Sequence, residues 1–312
     1  MPINSLDLKV NRTICVAGAS GFLGQATVEE FSRRGFKVIA LTRPTSRTLE
    51  SLPSGSVTQI RGTVDDWVRA IETERPISIF SFDWNGVTSG SRDDRLLQES
   101  NLDRVGRLAQ AASSFGVKNF ISLGSQAEVR PSIAPILENA VDDPQNFYGT
   151  AKVNTRKQIQ GILEGCETRF IWGRIFTIYG PGDTRNSLIT QLIKSLLKNE
   201  TFTVSEPSKM WSFLEVSDFL EALYLLHESS NISGIVNIGN PIPTTIGEVS
   251  EEIGRRFGLV QNVLKLEKEI EVGTQITWIP DTHTLSGLSW RPKIQLSEGL
   301  ENTIGWWKQF SN

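Results

Sequence analysis

The chain has 312 residues, 38% of them apolar and 21% charged, with a formal net charge of −3. That length allows one large domain or two modest ones around a sizeable core, and the composition is that of an ordinary globular protein. So small a charge leaves no surplus of cations for nucleic acid or an anionic membrane surface, and neither is expected as a partner.

No apolar run approaches the roughly 20 residues that span a bilayer. Residues 1–7 lack the basic-then-apolar order of a signal peptide, so the expected compartment is the cytosol. Cys15, Cys166, His227 and His283 are spaced too widely for a disulfide framework or a metal cluster.

In chain order, the first half alternates short apolar runs with helical patterns, the signature of a parallel sheet with crossover helices. Strands are predicted over 13–17, 37–41, 56–60, 77–82, 119–123 and 168–174. Helices are predicted over 21–34 and 93–115 and from residue 146 onward, with an amphipathic stretch around Trp67, Ala70 and Ile71. Cys15 sits inside the first apolar run, so packing is its expected role. The cluster Tyr179-Gly180-Pro181-Gly182-Asp183 marks a change of rhythm. Beyond it, helical patterns cover 188–197, 217–227 and 246–257, and short strands fall near 202–204, 212–215 and 235–238. The tail from Pro292 through Trp306, Trp307 and Phe310 reads as a docking helix. His227 and the pair Glu251-Glu252 read as structural.

The run Gly18-Ala19-Ser20-Gly21-Phe22-Leu23-Gly24 follows a predicted strand and opens a predicted helix, as a dinucleotide-binding turn must. Gly18 allows the tight turn, Gly21 lets backbone approach a pyrophosphate, and Gly24 lets the helix pack closely on the sheet. The expected fold is therefore α/β, a Rossmann-type doubly wound parallel sheet over residues 1–178. A smaller α/β substrate domain is expected over 179–312, with some chain crossing between the two. At the end of the second strand, Leu41-Thr42-Arg43-Pro44 offers no carboxylate for ribose hydroxyls, and Arg47 follows closely. A guanidinium suits a 2′-phosphate, so NADP(H) is the expected cofactor with Arg43 its main contact, and NAD(H) stays open.

Tyr148 and Lys152 lie one turn apart on one helical face. A cation held there would favour phenolate and lower the Tyr148 pKa towards neutrality, so that Tyr148 could pass a proton to a carbonyl or take one from a carbinol. The strand ending at Leu123 runs into Gly124-Ser125-Gln126-Ala127-Glu128, which puts the Ser125 hydroxyl at a strand's carboxyl end. There it can hydrogen-bond a substrate oxygen and share the proton with Tyr148.

Four further segments complete a pattern: Arg174-Ile175-Phe176-Thr177-Ile178-Tyr179-Gly180-Pro181, Phe213-Leu214-Glu215-Val216-Ser217-Asp218, Asn237-Ile238-Gly239 and Trp290-Arg291-Pro292-Lys293. Over nearly its whole length the sequence resembles the extended short-chain dehydrogenase/reductase superfamily, in its nucleotide-sugar epimerase/dehydratase/reductase branch. The resemblance implies Tyr148 as catalytic acid/base, Ser125 polarising the sugar carbonyl and Lys152 binding the nicotinamide ribose. It implies a cofactor groove formed by Gly18, Ser20, Gly21, Phe22, Leu23, Gly24 and Arg43, with Phe176 beside it and Asn101 in a backing helix. Phe82-Asp83-Trp84 would lie along the cofactor, where the family more often has small residues. Thr63 and Val64 stand where an Asp-apolar pair often meets the adenine. Trp84, Ser125, Gln126, Thr177 and Trp211 would face a nucleoside-diphosphate sugar. No metal is implied, and a homodimer through the helices at 93–115 and 146–163 is.

Dehydratases of this branch carry adjacent Asp and Glu after the catalytic hydroxyl, where Gln126 and Ala127 stand here. Its epimerases often have Arg where this chain has Met210-Trp211 and Asn where it has Thr177. The expected reaction is NADPH-dependent reduction of the C4 keto group of a nucleoside-diphosphate 4-keto-6-deoxy (or 3,6-dideoxy) hexose. The alternatives are a 4-epimerase with tightly bound NAD(P) and a dinucleotide-binding sensor or scaffold without turnover.

Overall fold

Strands from both halves of the chain build one seven-stranded parallel sheet. The computed structural model describes residues 12–46, 49, 55–266 and 277–309. Residues 1–11, Arg47 and Phe310 lie outside them. The strands are β1 (Thr13–Ala17), β2 (Lys37–Thr42), β3 (Val57–Arg61), β4 (Ser78–Ser81), β5 (Asn119–Ser125), β6 (Arg169–Ile175) and the later strand Gly234–Ile238. From one edge the order is Gly234–Ile238, β6, β5, β4, β1, β2, β3. The winding reverses between β1 and β4, so their carboxyl ends border the crevice where doubly wound sheets bind ligands.

Both faces are covered, which is why the inner strands carry apolar runs, whereas the edge strand β3 has no buried residue. On one face Ile14, Val16, Val38, Phe80 and Ile121 pack against Val28 and Phe31 of α1 (Phe22–Arg33) and Phe219 and Leu223 of α6 (Val216–Glu228). On the other, Cys15, Ile39, Ile79, Phe120 and Trp172 meet α2 (Val64–Glu74), α3 (Arg95–Ser114) and α4 (Phe147–Leu163) through Trp67, Ile71, Leu108 and Ile159. Burial pushes the Cys15 thiol up, which suits packing.

A third apolar cluster joins α5 (Leu188–Leu197), α7 (Ile246–Phe257) and the last helix, Leu296–Gln309, on which Trp307 docks. The strand Val263–Leu266, which the sequence pattern did not suggest, pairs in parallel with Phe202–Ser205. Three of its four residues are exposed, so it has no inward face to leave an alternating pattern. Glu251 pairs with Lys265, and Glu252 with Arg255 and Arg256, on the outer surface of α7.

His227 is part of the core. Its Nδ1 lies 3.0 Å from Ser78 Oγ, and its ring meets Phe31, Phe36 and Phe80 at centroid distances of 5.4, 5.3 and 5.8 Å. Burial is the main cause of a pKa lowered to about 4, with Arg169 and Arg12 adding to it. The unfolded chain therefore binds this proton first, so the contribution is complete above pH 6.5 and is lost as the pH falls towards 4. His227→Leu should shrink the stability difference between pH 7 and pH 4.5 by about 2–3 kcal/mol, as read from urea unfolding at both values. An unchanged difference would show that the ring titrates normally.

Candidate active site

The turn from β1 into α1 has no room for side chains at two of its glycines. Gly18 has φ +80, and a Cβ there would stand 2.7 Å from the Asp83 amide nitrogen. A Cβ on Gly24 would stand 2.1 Å from the Gly18 carbonyl oxygen. Gly21 caps α1 with no side-chain bond, so the first amides of a 12-residue helix are left to an outside acceptor. Such an end fits a pyrophosphate. Ser20 Oγ bonds Ser46 Oγ at 3.0 Å, Phe22 lies under the Arg185 guanidinium at 4.8 Å, and the Leu23 side chain is buried in the core.

The catalytic candidates meet because α4 starts against the turn after β5. Asn146 caps α4 by accepting the Gly149 N–H at 2.8 Å, and a Cβ on Gly149 would stand 2.1 Å from the Ala127 carbonyl oxygen. This contact brings Tyr148 near Ser125, whose side chain favours the ionised phenol. Lys152 follows one turn later and donates to the Leu123 carbonyl at 2.8 Å. Its ammonium lies 3.6 Å from the centroid of the Trp84 ring and 5.8 Å from that of Tyr148. Trp84 meets Tyr148 edge-on at 6.1 Å and donates its indole N–H to Gln98 Oε1 at 3.0 Å. Ser125, Tyr148, Lys152 and Trp84 thus form one constellation.

The expected effect of Lys152 on Tyr148 is corrected by this geometry. Burial raises the Tyr148 pKa above its ordinary value, and Ser125, Arg92 and Arg185 only partly oppose it. Burial also lowers the Lys152 pKa, to about 7, against the pull of Glu128 and Asp83. Both side chains are disfavoured in their charged forms for the same reason, removal from water. Burial thus favours the protonated phenol.

The remaining candidates are more dispersed. Arg43 follows β2 and pairs with Asp83 Oδ1 at 3.3 Å, while Arg104 takes Oδ2 at 2.8 Å. Asn101 is buried and holds Asn85 by both backbone groups, at 2.8 and 3.1 Å, and so fixes the loop after β4. Phe82 packs on the core face that carries α1. Thr63 is engaged in a capping box with Asp66 at the start of α2, and Val64 packs against the second core cluster. Phe176 is buried with Val129 and Ile136. The Thr177 hydroxyl accepts the Trp211 indole N–H, and the Trp211 and Trp278 rings lie 6.2 Å apart. Gln126 Oε1 is buried with no hydrogen-bond partner among the described residues.

Sequence reasoning assigned no role to Glu128, which has no exposed surface. It accepts the Ser125 N–H at 2.6 Å and the Trp172 indole at 3.0 Å, and faces Arg174 Nε at 3.4 Å. Burial pushes its carboxyl up, with Arg174 as the main opposing influence. The spacing Ser125-x2-Glu128 is a readable signal, because it is that of a capping box. Arg92, Arg104 and Arg185 were missed as well, and their contacts with Tyr148, Asp83 and Phe22 join segments far apart in the chain.

A family model described as "NAD dependent epimerase/dehydratase family" matches residues 14–239. The chain belongs to that family. It is an enzyme of the oxidoreductase and epimerase type, and no helix among the described residues is long and apolar enough to cross a membrane. It is similar to putative GDP-L-fucose synthase 2 of Arabidopsis thaliana, 24% identical across 98% of this chain and 95% of that one. It is also similar to dTDP-6-deoxy-L-talose 4-dehydrogenase (NAD(+)) of Aggregatibacter actinomycetemcomitans, 23% identical across 83% of this chain and 94% of that one. Among solved structures, a UDP-glucose 4-epimerase of Thermus thermophilus complexed with NAD superposes with a TM-score of 0.83. That pair is 21% identical and covers 95% and 99% of the two chains, a likeness of fold.

Removing Glu128 should be costly, because Arg174 would be left as a buried charge without its partner. Glu128→Ala is expected to lose about 3–5 kcal/mol of unfolding free energy, and Glu128→Gln less, since an acceptor for the Ser125 amide survives. Denaturant midpoints read both, and a loss below about 1 kcal/mol for the alanine variant would mean that the pair is not formed.

Proposed function

We propose that the protein is an NADPH-dependent reductase of the C4 keto group of a nucleoside-diphosphate 4-keto-6-deoxy (or 3,6-dideoxy) hexose. The observation that carries the reading is the burial of Tyr148, Ser125 and Lys152 together, with Lys152 held one turn from the phenol by the Leu123 carbonyl and the Trp84 ring. Gln126 and Ala127 offer no carboxylate for dehydration, and Glu128 is sealed against Trp172 and Arg174.

The residues present fit the cofactor. Gly18, Gly21, Gly24 and the amino end of α1 would hold its pyrophosphate, Arg43 its ribose phosphate and Lys152 its nicotinamide ribose. When bound, reduced nicotinamide supplies the hydride. Tyr148 gives its proton to the carbonyl oxygen as negative charge develops there, and the Ser125 hydroxyl hydrogen-bonds the same oxygen. Lys152, poised near neutrality, is suited to following the proton that Tyr148 loses. Residues 179–312, with Trp84, Gln126, Thr177 and Trp211, would receive the nucleotide sugar. Exposed Leu96 on α3 and Phe147 on α4 support a homodimer through these helices.

Names among the relatives favour work on deoxysugar nucleotides, and that of the talose enzyme points to C4. The NAD-bound UDP-glucose 4-epimerase favours a second reading, a 4-epimerase that regenerates its cofactor. The two differ in whether reduced nicotinamide is consumed. With a panel of nucleoside-diphosphate 4-keto-6-deoxyhexoses, a reductase removes NADPH absorbance in step with product, whereas an epimerase interconverts sugars at constant absorbance. Tyr148→Phe should lower kcat at least ~10²-fold while NADPH still binds, and near-normal turnover would remove the proton-donor role.

A further inference from the structure

The charges at the carboxyl ends of β2 and β4 do not balance. Asp83 is 2% exposed and is shared by two guanidiniums, those of Arg43 and Arg104. One positive charge is left over, and the geometry tells which arginine carries it. Arg104 is pinned along α3: Nε meets Asp83 Oδ2 at 2.8 Å, Nη2 meets Asn101 Oδ1 at 2.7 Å and Nη1 meets the Ser100 carbonyl at 3.2 Å. Arg43 Nε lies 3.3 Å from Asp83 Oδ1, yet that oxygen receives no hydrogen bond among the described residues. Its second tether is Asn85 Oδ1, and its side chain is 41% exposed. If Arg43 leaves, Asp83 and Arg104 remain as a neutral, well-aligned pair. Arg43 is therefore the releasable cation.

We propose that Asp83 and Asn85 are specificity-determining residues that hold Arg43 in reserve, so that a ribose 2′-phosphate must win the guanidinium from them. The inference rests on the reading of Arg43 as the 2′-phosphate contact. A cofactor without that phosphate leaves Arg43 on Asp83 and Asn85, so the two tethers narrow the preference for NADP(H) that a free guanidinium would create. The carboxylate that the end of β2 lacks is thus supplied by β4, where it acts on the arginine.

The test is calorimetry on the full chain with adenosine 2′,5′-bisphosphate and 5′-AMP, fragments that carry no nicotinamide. Asp83→Asn keeps the shape and an acceptor for Arg104, and should tighten the bisphosphate by about three- to fivefold, the range of a partly exposed ion pair, with 5′-AMP unchanged. Asn85→Ala should shift the ratio in the same direction, because the loop backbone stays held by Asn101. Arg43→Ala should abolish the discrimination. If Arg43→Ala collapses the ratio while neither tether variant raises it, the inference is overturned and the role of Arg43 stands. If Arg43→Ala leaves the ratio unchanged, the reading of Arg43 itself falls. Should Asp83→Asn not fold, Asn85→Ala decides alone, a wild-type ratio counting against the proposal.

Discussion

A carboxylate with no access to water, Glu128, ties the catalytic region together. It meets the Ser125 amide at the end of β5, the Trp172 indole and Arg174 guanidinium on β6, and Arg156 of α4 at 4.0 Å. Three elements that must converge to bring Ser125 near Tyr148 are therefore bound to one buried side chain. Such a carboxylate is tolerated only when several well-placed donors replace the lost water, so the arrangement allows little slack. The close contact of Gly149 with the Ala127 carbonyl adds a steric constraint to the electrostatic one.

The dryness of the site shapes its chemistry. Burial raises Tyr148 and lowers Lys152, so the pair approaches a state in which both are neutral. The ammonium is stabilised by the Leu123 carbonyl and the face of Trp84. Trp84 stands where the resemblance implies a small residue, and it contacts both members of the pair. The substitution of bulk for space at the end of β4 is accompanied by Asp83, whose carboxylate is shared by two arginines.

Most of the fold was legible because its signals are local. Short apolar or β-branched stretches marked every strand of the main sheet, and the glycine spacing marked the tight turn between β1 and α1. Ser125, Tyr148 and Lys152 were legible as residue types at the right ends of the right elements, and they do assemble. Thr63 and Val64 were placed by resemblance, and here Thr63 caps α2 while Val64 packs inward. The strand Val263–Leu266 escaped notice because its pairing partner, Phe202–Ser205, supplies what its own pattern lacks.

By itself the sequence determined the alternating architecture, the glycine turn and the candidate reacting groups, since each depends on neighbours within a turn or a strand. Tertiary structure alone decided the direction of the Tyr148 shift and the company kept by Arg43. The first depends on how completely α4 and the turn after β5 exclude water. The second depends on β2 and β4 lying either side of β1, which brings Arg43 to Asn85 across 42 positions of chain. Desolvation and long-range charge pairing are set by packing density and strand order, and neither leaves a periodic trace in the residues themselves.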